Sequence, residues 1–308
     1  MDKSGSSVPF VIVTPARNEA AFISQTIESV IAQTSLPLKW VIVDDGSTDD
    51  TFEVAKGYAT KHSWIEVVQN SASRERSFGA KVRAFNLGYD KVKQLDYEVI
   101  VNIDADVSFA PDYCEFVLSK FAEDPSLGVA GTVFEEDGYS SDRNSFEGQR
   151  HVAGGCQFFR RRCFEDVGGY IANEAGGVDW IAVTTARMLR WKTKSFREKS
   201  FFHHRHLGTA QRSLLSSVYS YGSKDYYLGW HPLWEVFRVA HRITKRPYLL
   251  GGLALGSGYI SAMLRREKRP VSRELMAFHR KEQMLKLRAI VKSILTFKPI
   301  DSFELLPD

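Results

Sequence analysis

Two clusters of aspartates interrupt the most apolar stretches of the chain. Asp44-Asp45-Gly46-Ser47-Thr48-Asp49 follows Val41-Ile42-Val43, and Asp104-Ala105-Asp106 follows Val99-Ile100-Val101-Asn102-Ile103. A carboxylate at the end of a buried strand is a poor core residue, because an unpaired buried charge is expensive. It requires a cationic partner, and a divalent metal carrying a diphosphate is a natural one. Asp104 and Asp106 flank a single residue, so on extended backbone they would share one face, within reach of one ligand. One can reach a sugar hydroxyl while the other holds an ion. Hard oxygen ligands suit Mg2+ or Mn2+, which bridge diphosphate oxygens and offset charge developing on a departing nucleotide diphosphate. The 44–49 segment also reads as a turn and helix start, with Ser47, Thr48 or Asp49 as the cap. The two readings use different atoms and are compatible.

The elements that must position these carboxylates follow from the hydrophobic pattern. Phe10-Val11-Ile12-Val13, ending at Thr14-Pro15, reads as a strand buried on both faces. Residues 20–33 carry Phe22, Ile23, Ile27, Val30 and Ile31 at helical spacing, and residues 50–61 also read as a helix. Strands are expected at 41–43, 64–68 and 99–103, with a helix over 77–95 on Phe78, Val82, Phe85, Tyr89 and Val92. Strands alternating with amphipathic helices give the α/β class and a mainly parallel sheet. Such sheets bind ligands beyond the carboxyl ends of their strands, where both acidic clusters lie.

Taken in order, Thr14-Pro15-Ala16-Arg17-Asn18-Glu19, Val43 to Asp49 and Asn102-Ile103-Asp104-Ala105-Asp106 resemble the motifs of glycosyltransferase family 2. Gly-Ala-Lys-Val-Arg-Ala-Phe-Asn-Leu-Gly at 79–88 is similar to the family's Lys and Ala-x-Asn-x-Gly segment. The resemblance covers roughly residues 8–205. It implies the GT-A fold, a Rossmann-like, mainly parallel central sheet flanked by helices, and inverting transfer from a nucleotide-diphosphate sugar, by default a UDP-sugar. Pro15, Ala16, Arg17, Asn18 and Glu19, with Asp44 and Asp45, would then hold the base and ribose. Lys81 would lie near the nucleotide, Asp104 and Ala105 would contact the donor, and Asp106 would ligate Mn2+ or Mg2+. Inversion in one displacement needs one general base. The family takes it from a Glu-Asp pair at a helix start. Here Val178 replaces the glutamate and Asp179 is the expected base, its alternative being a helix N-cap ahead of Trp180. Gly154, Gly155, Cys156, Gln157 and Trp180 would fall on the acceptor side. His203 or His204 is a further metal-ligand candidate, with a capping cluster as the alternative. Arg160-Arg161-Arg162 reads as a solvated helix start in preference to a phosphate site.

The composition is that of an ordinary globular chain, 44% hydrophobic and 25% charged over 308 residues. The polar N-terminus lacks an apolar h-region and the three cysteines form no CxxC pair, so a reduced, cytoplasmic protein is expected. Charge is uneven: residues 231–298 hold fifteen Lys/Arg against four Glu, or +11, which leaves −7 elsewhere of a total of +4. A catalytic domain is expected over 1–210 and an aromatic, basic helical extension over 211–308. Residues 247–264 carry no formal charge but are too short and glycine-rich for a simple span. With Trp230, Trp234 and Phe237 on one helical face and cations beside them, the extension is expected to associate with the inner face of a membrane. A saccharide acceptor carried on a polyprenyl lipid, in surface-polysaccharide assembly, follows by analogy. Synthesis of a polyprenyl-phosphate sugar and a catalytically inactive scaffold are the alternatives. No glycine-rich loop follows the first strand, which argues against a sugar nucleotidyltransferase, and no motif accompanies the basic tail that would make nucleic acid a partner.

Overall fold

In a computed structural model of the chain, the described residues are 8–70, 78–136, 139–140, 148–173, 176–205 and 214–297. They fall into two compact units, one reaching Arg205 and one running from 214 onward together with Gly176 and Gly177. The 210/211 boundary expected from composition lies outside the described residues.

In the first unit β1 (Phe10–Ala16), β2 (Lys39–Asp44), β3 (Ile65–Gln69) and β4 (Val99–Ile103) form a parallel block, joined by α1 (Ile23–Ile31), α2 (Thr51–Ala59) and α3 (Phe78–Val92). The sheet order is β3-β2-β1-β4-β8-β6-β9-β5. Beyond β4 come β8 (Cys156–Arg160), antiparallel to it, then β6 (Leu127–Glu136), β9 (Lys192–His203) and β5 (Val107–Phe109). The short β7 (Tyr139–Ser140) pairs with β6. Three more helices, α4 (Tyr113–Glu123), α5 (Arg161–Asp166) and α6 (Val178–Met188), cover this half.

Helices on both faces explain why the central strands lack polar alternation. Phe10, Ile12, Trp40 and Ile42 pack with Ile23, Ile27 and Val30 of α1, while Val11, Val13, Val41 and Val43 pack with Val82 and Phe85 of α3. Gly88 brings α3 down onto the second face, since a Cβ there would stand 2.6 Å from Val13 Cγ1.

The second unit is helical: α7 (Leu214–Tyr227), α8 (Pro232–Ile243), α9 (Tyr248–Leu264) and α10 (Arg273–Thr296). Glycines bring α7 and α9 into backbone contact. A Cβ on Gly222 would lie 1.9 Å from Leu255 O, and one on Gly258 would lie 2.1 Å from Tyr219 O. The interfacial face expected on Trp230, Trp234 and Phe237 is corrected here. Trp234 is buried, and Trp230 packs against His279 and under Arg238. These rings hold the helices to one another. Among the described residues no helix is long and apolar enough to cross a membrane.

Candidate active site

The parallel register sets Ala16 opposite Asp44, so the loops leaving β1 and β2 run side by side. Their side chains lace them together. Asn18, at φ +54°, donates its amide to Ser47 Oγ at 3.0 Å and accepts the Thr48 amide on Oδ1 at 2.8 Å. The Glu19 amide donates to Thr51 Oγ1 at 2.8 Å. Asp44 accepts the Ser47 amide at 3.3 Å, closing its own turn. Asp45 accepts from Asn70 Nδ2 at 2.8 Å and lies 3.9 Å from Arg17 Nη1. Asp49 takes the first helical amide of α2, Thr51 N, at 3.1 Å. The N-cap of α2 is Asp50, without a side-chain cap bond, so the cap expected at Ser47, Thr48 or Asp49 is not formed, and the Asp49 contact is a local turn. Pro15 and Ala16 are buried at the end of β1.

The carboxyl end of β4 is fastened to the glycine turn before β8. Asn102 Nδ2 donates to Gly154 O at 3.0 Å, and the Asp104 amide donates to Gly155 O at 2.9 Å. Asp104 pairs with Lys81 Nζ at 2.6 Å. Desolvation alone would lower the Lys81 ammonium, but Asp104, with Asp179 and Asp106 beyond it, outweighs this and raises it above the ordinary lysine value. Asp179, in the first turn of α6, lies against Gly154, where an added Cβ would fall 2.8 Å from Oδ2. Among the described residues no hydrogen bond or ion pair engages the Asp179 carboxylate.

Asp106 points the other way, toward the end of β9. His203 Nε2 stands 3.7 Å from Asp106 Oδ1, and its Nδ1 bonds the Arg205 carbonyl. A carbonyl only accepts, so Nδ1 carries a proton, and Nε2 is the ring nitrogen that faces Asp106. Arg205 bridges two motifs, pairing with the Glu19 carboxylate and lying 3.6 Å from Asp106 Oδ2. The Asp106 carboxyl is raised above the usual range by burial and then by Asp104, against the pull of His203, Lys81 and Arg205. His204 is set apart from this pair: its Nε2 meets Ser108 Oγ at 2.9 Å and its ring stacks on Phe22. Burial lowers its pKa.

These contacts test the fit of a divalent ion. A buried carboxylate held above its usual pKa, with an imidazole nitrogen 3.7 Å away, is a pair of donor groups that added positive charge would stabilise. No group of three or more His, Cys, Asp or Glu side chains converges among the described residues. The pair therefore fits a cation whose remaining positions go to diphosphate oxygens and water, as is usual for Mg2+ and Mn2+.

Other expected site residues have structural roles. Gln157 is fully buried, donating to Val152 O at 2.8 Å and accepting the Tyr170 hydroxyl at 2.6 Å, so it faces no acceptor. Cys156 and Ala105 are buried in the core below the site, and Trp180 is buried on α6. Ala105 offers a ligand only its backbone. Arg160 and Arg161 donate to the carbonyls of Leu127 and Leu95, at 3.0 and 2.9 Å. Three residues that sequence reasoning missed complete the site. Arg205 was hidden in a His-His-Arg run, Asn102 was quoted within the Asn102–Asp106 motif without a role of its own, and Asn70 lies beyond β3 with no pattern to mark it.

The family model for glycosyl transferase family 2 matches residues 11–161. The chain is 28% identical over 185 residues to the glucosyl-dolichyl phosphate glucuronosyltransferase of Haloferax volcanii, covering 54% of this chain and 56% of that protein. It is 29% identical over 131 residues to the chondroitin synthase of Escherichia coli, covering 41% of this chain and 17% of the synthase. The chain thus spans little more than half the length of one of these relatives and a small part of the other. Two solved structures share the fold. A mannosyltransferase of Pyrobaculum calidifontis, in complex with GDP-Man and Mn2+, aligns with a TM-score of 0.56 at 18% identity, over 94% of this chain and 88% of its own. Staphylococcus aureus TarS with UDP-GlcNAc aligns at 0.52 and 13%, over 95% and 93%. Both have the curled sheet flanked by helices of the GT-A architecture.

Proposed function

We propose that this chain, a member of glycosyltransferase family 2, transfers a sugar with inversion from a nucleotide-diphosphate sugar to a saccharide hydroxyl. The observation that carries the reading is the division of carboxylates around β4. Asp106 is grouped with His203 on one side, while on the other Asp179 lies beside Gly154 with no ion pair among the described residues. The first arrangement suits a cation at a diphosphate, and the second suits a base at an acceptor.

In this reading the acceptor oxygen attacks the anomeric carbon as the bond to the diphosphate breaks. The diphosphate leaves with the bonding pair, and the acceptor proton passes to Asp179. Lys81 and Asp104 orient the donor, while the laced loops at 14–19 and 44–51 cradle base and ribose. Asp106 and His203 would hold Mn2+ or Mg2+, which stabilises negative charge on the leaving group when bound. A Mn2+ complex of a fold neighbour supports the metal, and neighbours with GDP-Man and UDP-GlcNAc support the donor class. A UDP-sugar is the default donor. The Haloferax relative, named for a dolichyl-phosphate substrate, supports an acceptor carried on a polyprenyl lipid.

The test is binding and hydrolysis of a panel of UDP-, GDP- and dTDP-sugars with Mn2+, Mg2+ or EDTA, on wild type and Asp106→Ala. Metal-dependent binding of one donor, lost in the variant, is expected. Absence of binding to every donor under every condition would leave an inactive scaffold.

A further inference from the structure

We propose that the outer face of α8 and α9 is a membrane-contacting surface that seats the helical unit in the headgroup region of an anionic bilayer. This goes beyond the transfer reading and does not depend on it.

α9 contains no charged residue, and its exposed Ser257 hydroxyl bonds back to Ala254 O at 3.0 Å. Its buried residues, among them Gly252, Leu255, Gly258 and Ala262, occupy one side and meet α7 and α8. Leu249, Leu250, Leu253, Ile260 and Leu264 fall within an arc of about 100° on the other side, at 100° per residue. Each keeps between 51% and 74% of its surface exposed. On α8, Leu233, Val236 and Ile243 form a second exposed stripe. The stripes adjoin, because Ile243 packs on Gly252 of α9. Together they make a contiguous apolar patch on the order of 500 Å², at the upper end of what soluble monomers present.

Charge selects the occupant. No acidic residue occurs between Val236 and Arg266, whereas Lys245, Arg246, Arg265 and Arg266 are exposed at the two ends of α9. An apolar strip bracketed by cations matches acyl chains below a layer of anionic headgroups. A second copy of the chain would set cations against cations. The seventeen residues of α9 are about 25 Å long, short of the roughly 30 Å hydrocarbon layer. With cations at both ends, the helix lies along the surface rather than across it.

The test is flotation of the full chain with large unilamellar vesicles, either pure phosphatidylcholine or containing 30 mol% phosphatidylglycerol. No sugar nucleotide is added, so the result is independent of donor binding. Wild type is expected to partition at least tenfold more into the anionic vesicles. Leu250→Asp/Leu253→Asp/Ile260→Asp changes exposed positions and is expected to keep the wild-type circular dichroism and Tm while losing at least tenfold in partitioning. Lys245→Glu/Arg246→Glu/Arg265→Glu/Arg266→Glu is expected to abolish the preference for anionic lipid. Failure of wild type to float with either vesicle, or a folded aspartate variant that floats like wild type, would overturn the proposal. So would a wild-type dimer in light scattering that the aspartate variant dissociates, with no vesicle binding, since the face would then join two copies.

Discussion

Gly154→Ala should damage catalysis through Asp179 and through little else. Gly154 has no left-handed φ, so alanine is compatible with its backbone. The new Cβ would stand 2.8 Å from Asp179 Oδ2 and 3.0 Å from Asp179 Cβ and Cγ. Comfortable carbon contacts begin at about 3.5 Å, so the carboxylate must retreat by roughly 0.5–1 Å. A misplacement of that size at a reacting group costs up to about 100-fold. Steady-state transfer to a competent acceptor should therefore show kcat lowered about 10–100-fold, with donor KM and Tm close to wild type. Asp179→Asn removes the base and should cost about 10²–10⁴-fold. In the double variant the alanine should add almost nothing, because there is no base left to misplace. Gly57→Ala, where an added Cβ meets nothing within 4 Å, is the control for glycine replacement. A Gly154→Ala enzyme within twofold of wild type, or an equal loss in the Asp179→Asn background, would refute the assignment of Asp179.

Two further outcomes follow from charges around the site and in the helical unit. Arg205→Met removes the guanidinium that lies 3.6 Å from Asp106 Oδ2 with 31% of its side chain exposed. After screening this is worth about 1–2 kcal/mol, so calorimetry without donor should show Mn2+ binding tightened roughly 5–30-fold. Unchanged or weaker binding would count against Asp106 as a ligand. Glu235 is pushed up to about 8 by burial and then by Asp225, against Arg238. A carboxyl whose folded pKa lies above its unfolded value contributes stability that is intact near pH 4.5 and is lost as pH rises toward 8, on the order of 3 kcal/mol here. Urea titrations at pH 5 and pH 8 should show that loss in wild type and a smaller one in Glu235→Gln. Equal losses would mean that Glu235 is charged in the fold throughout.

What the sequence revealed, and what it concealed, divides along physical lines. β1, β2 and β4 were legible because burial on both faces leaves unbroken apolar runs, and Asp104 and Asp106 stood out as charges where such a run stops. Arg205 could not be found this way. Its contacts with Glu19 and Asp106 span 186 and 99 positions, and within its own segment it is one cation among histidines. Gln157 and Cys156 were misread because a glycine pair with a polar neighbour resembles a binding loop. In fact strand alternation turns Gln157 into the core, where Tyr170 and Val152 satisfy its amide. The helical unit shows a related failure. Spacing reveals that α8 has an apolar side, but not whether its Trp234 or its Leu233 and Val236 will be covered.

The crowding of charge around β4 bears on how a donor could enter. Lys81 is already committed to Asp104, and Arg205 to Glu19 and Asp106. Asp179 adds a further negative charge with no ion pair of its own among the described residues. A diphosphate brought into this cleft would meet more carboxylates than free cations, with burial amplifying the repulsion. Two rearrangements can balance it. A divalent ion at Asp106 and His203 supplies two positive charges, or Arg205 exchanges its carboxylates for phosphate oxygens. The first frees the second, because an ion on Asp106 takes over the charge that Arg205 offsets and leaves the guanidinium available to the donor. On this reasoning metal and donor bind with positive cooperativity, and Arg205 is the residue that couples them.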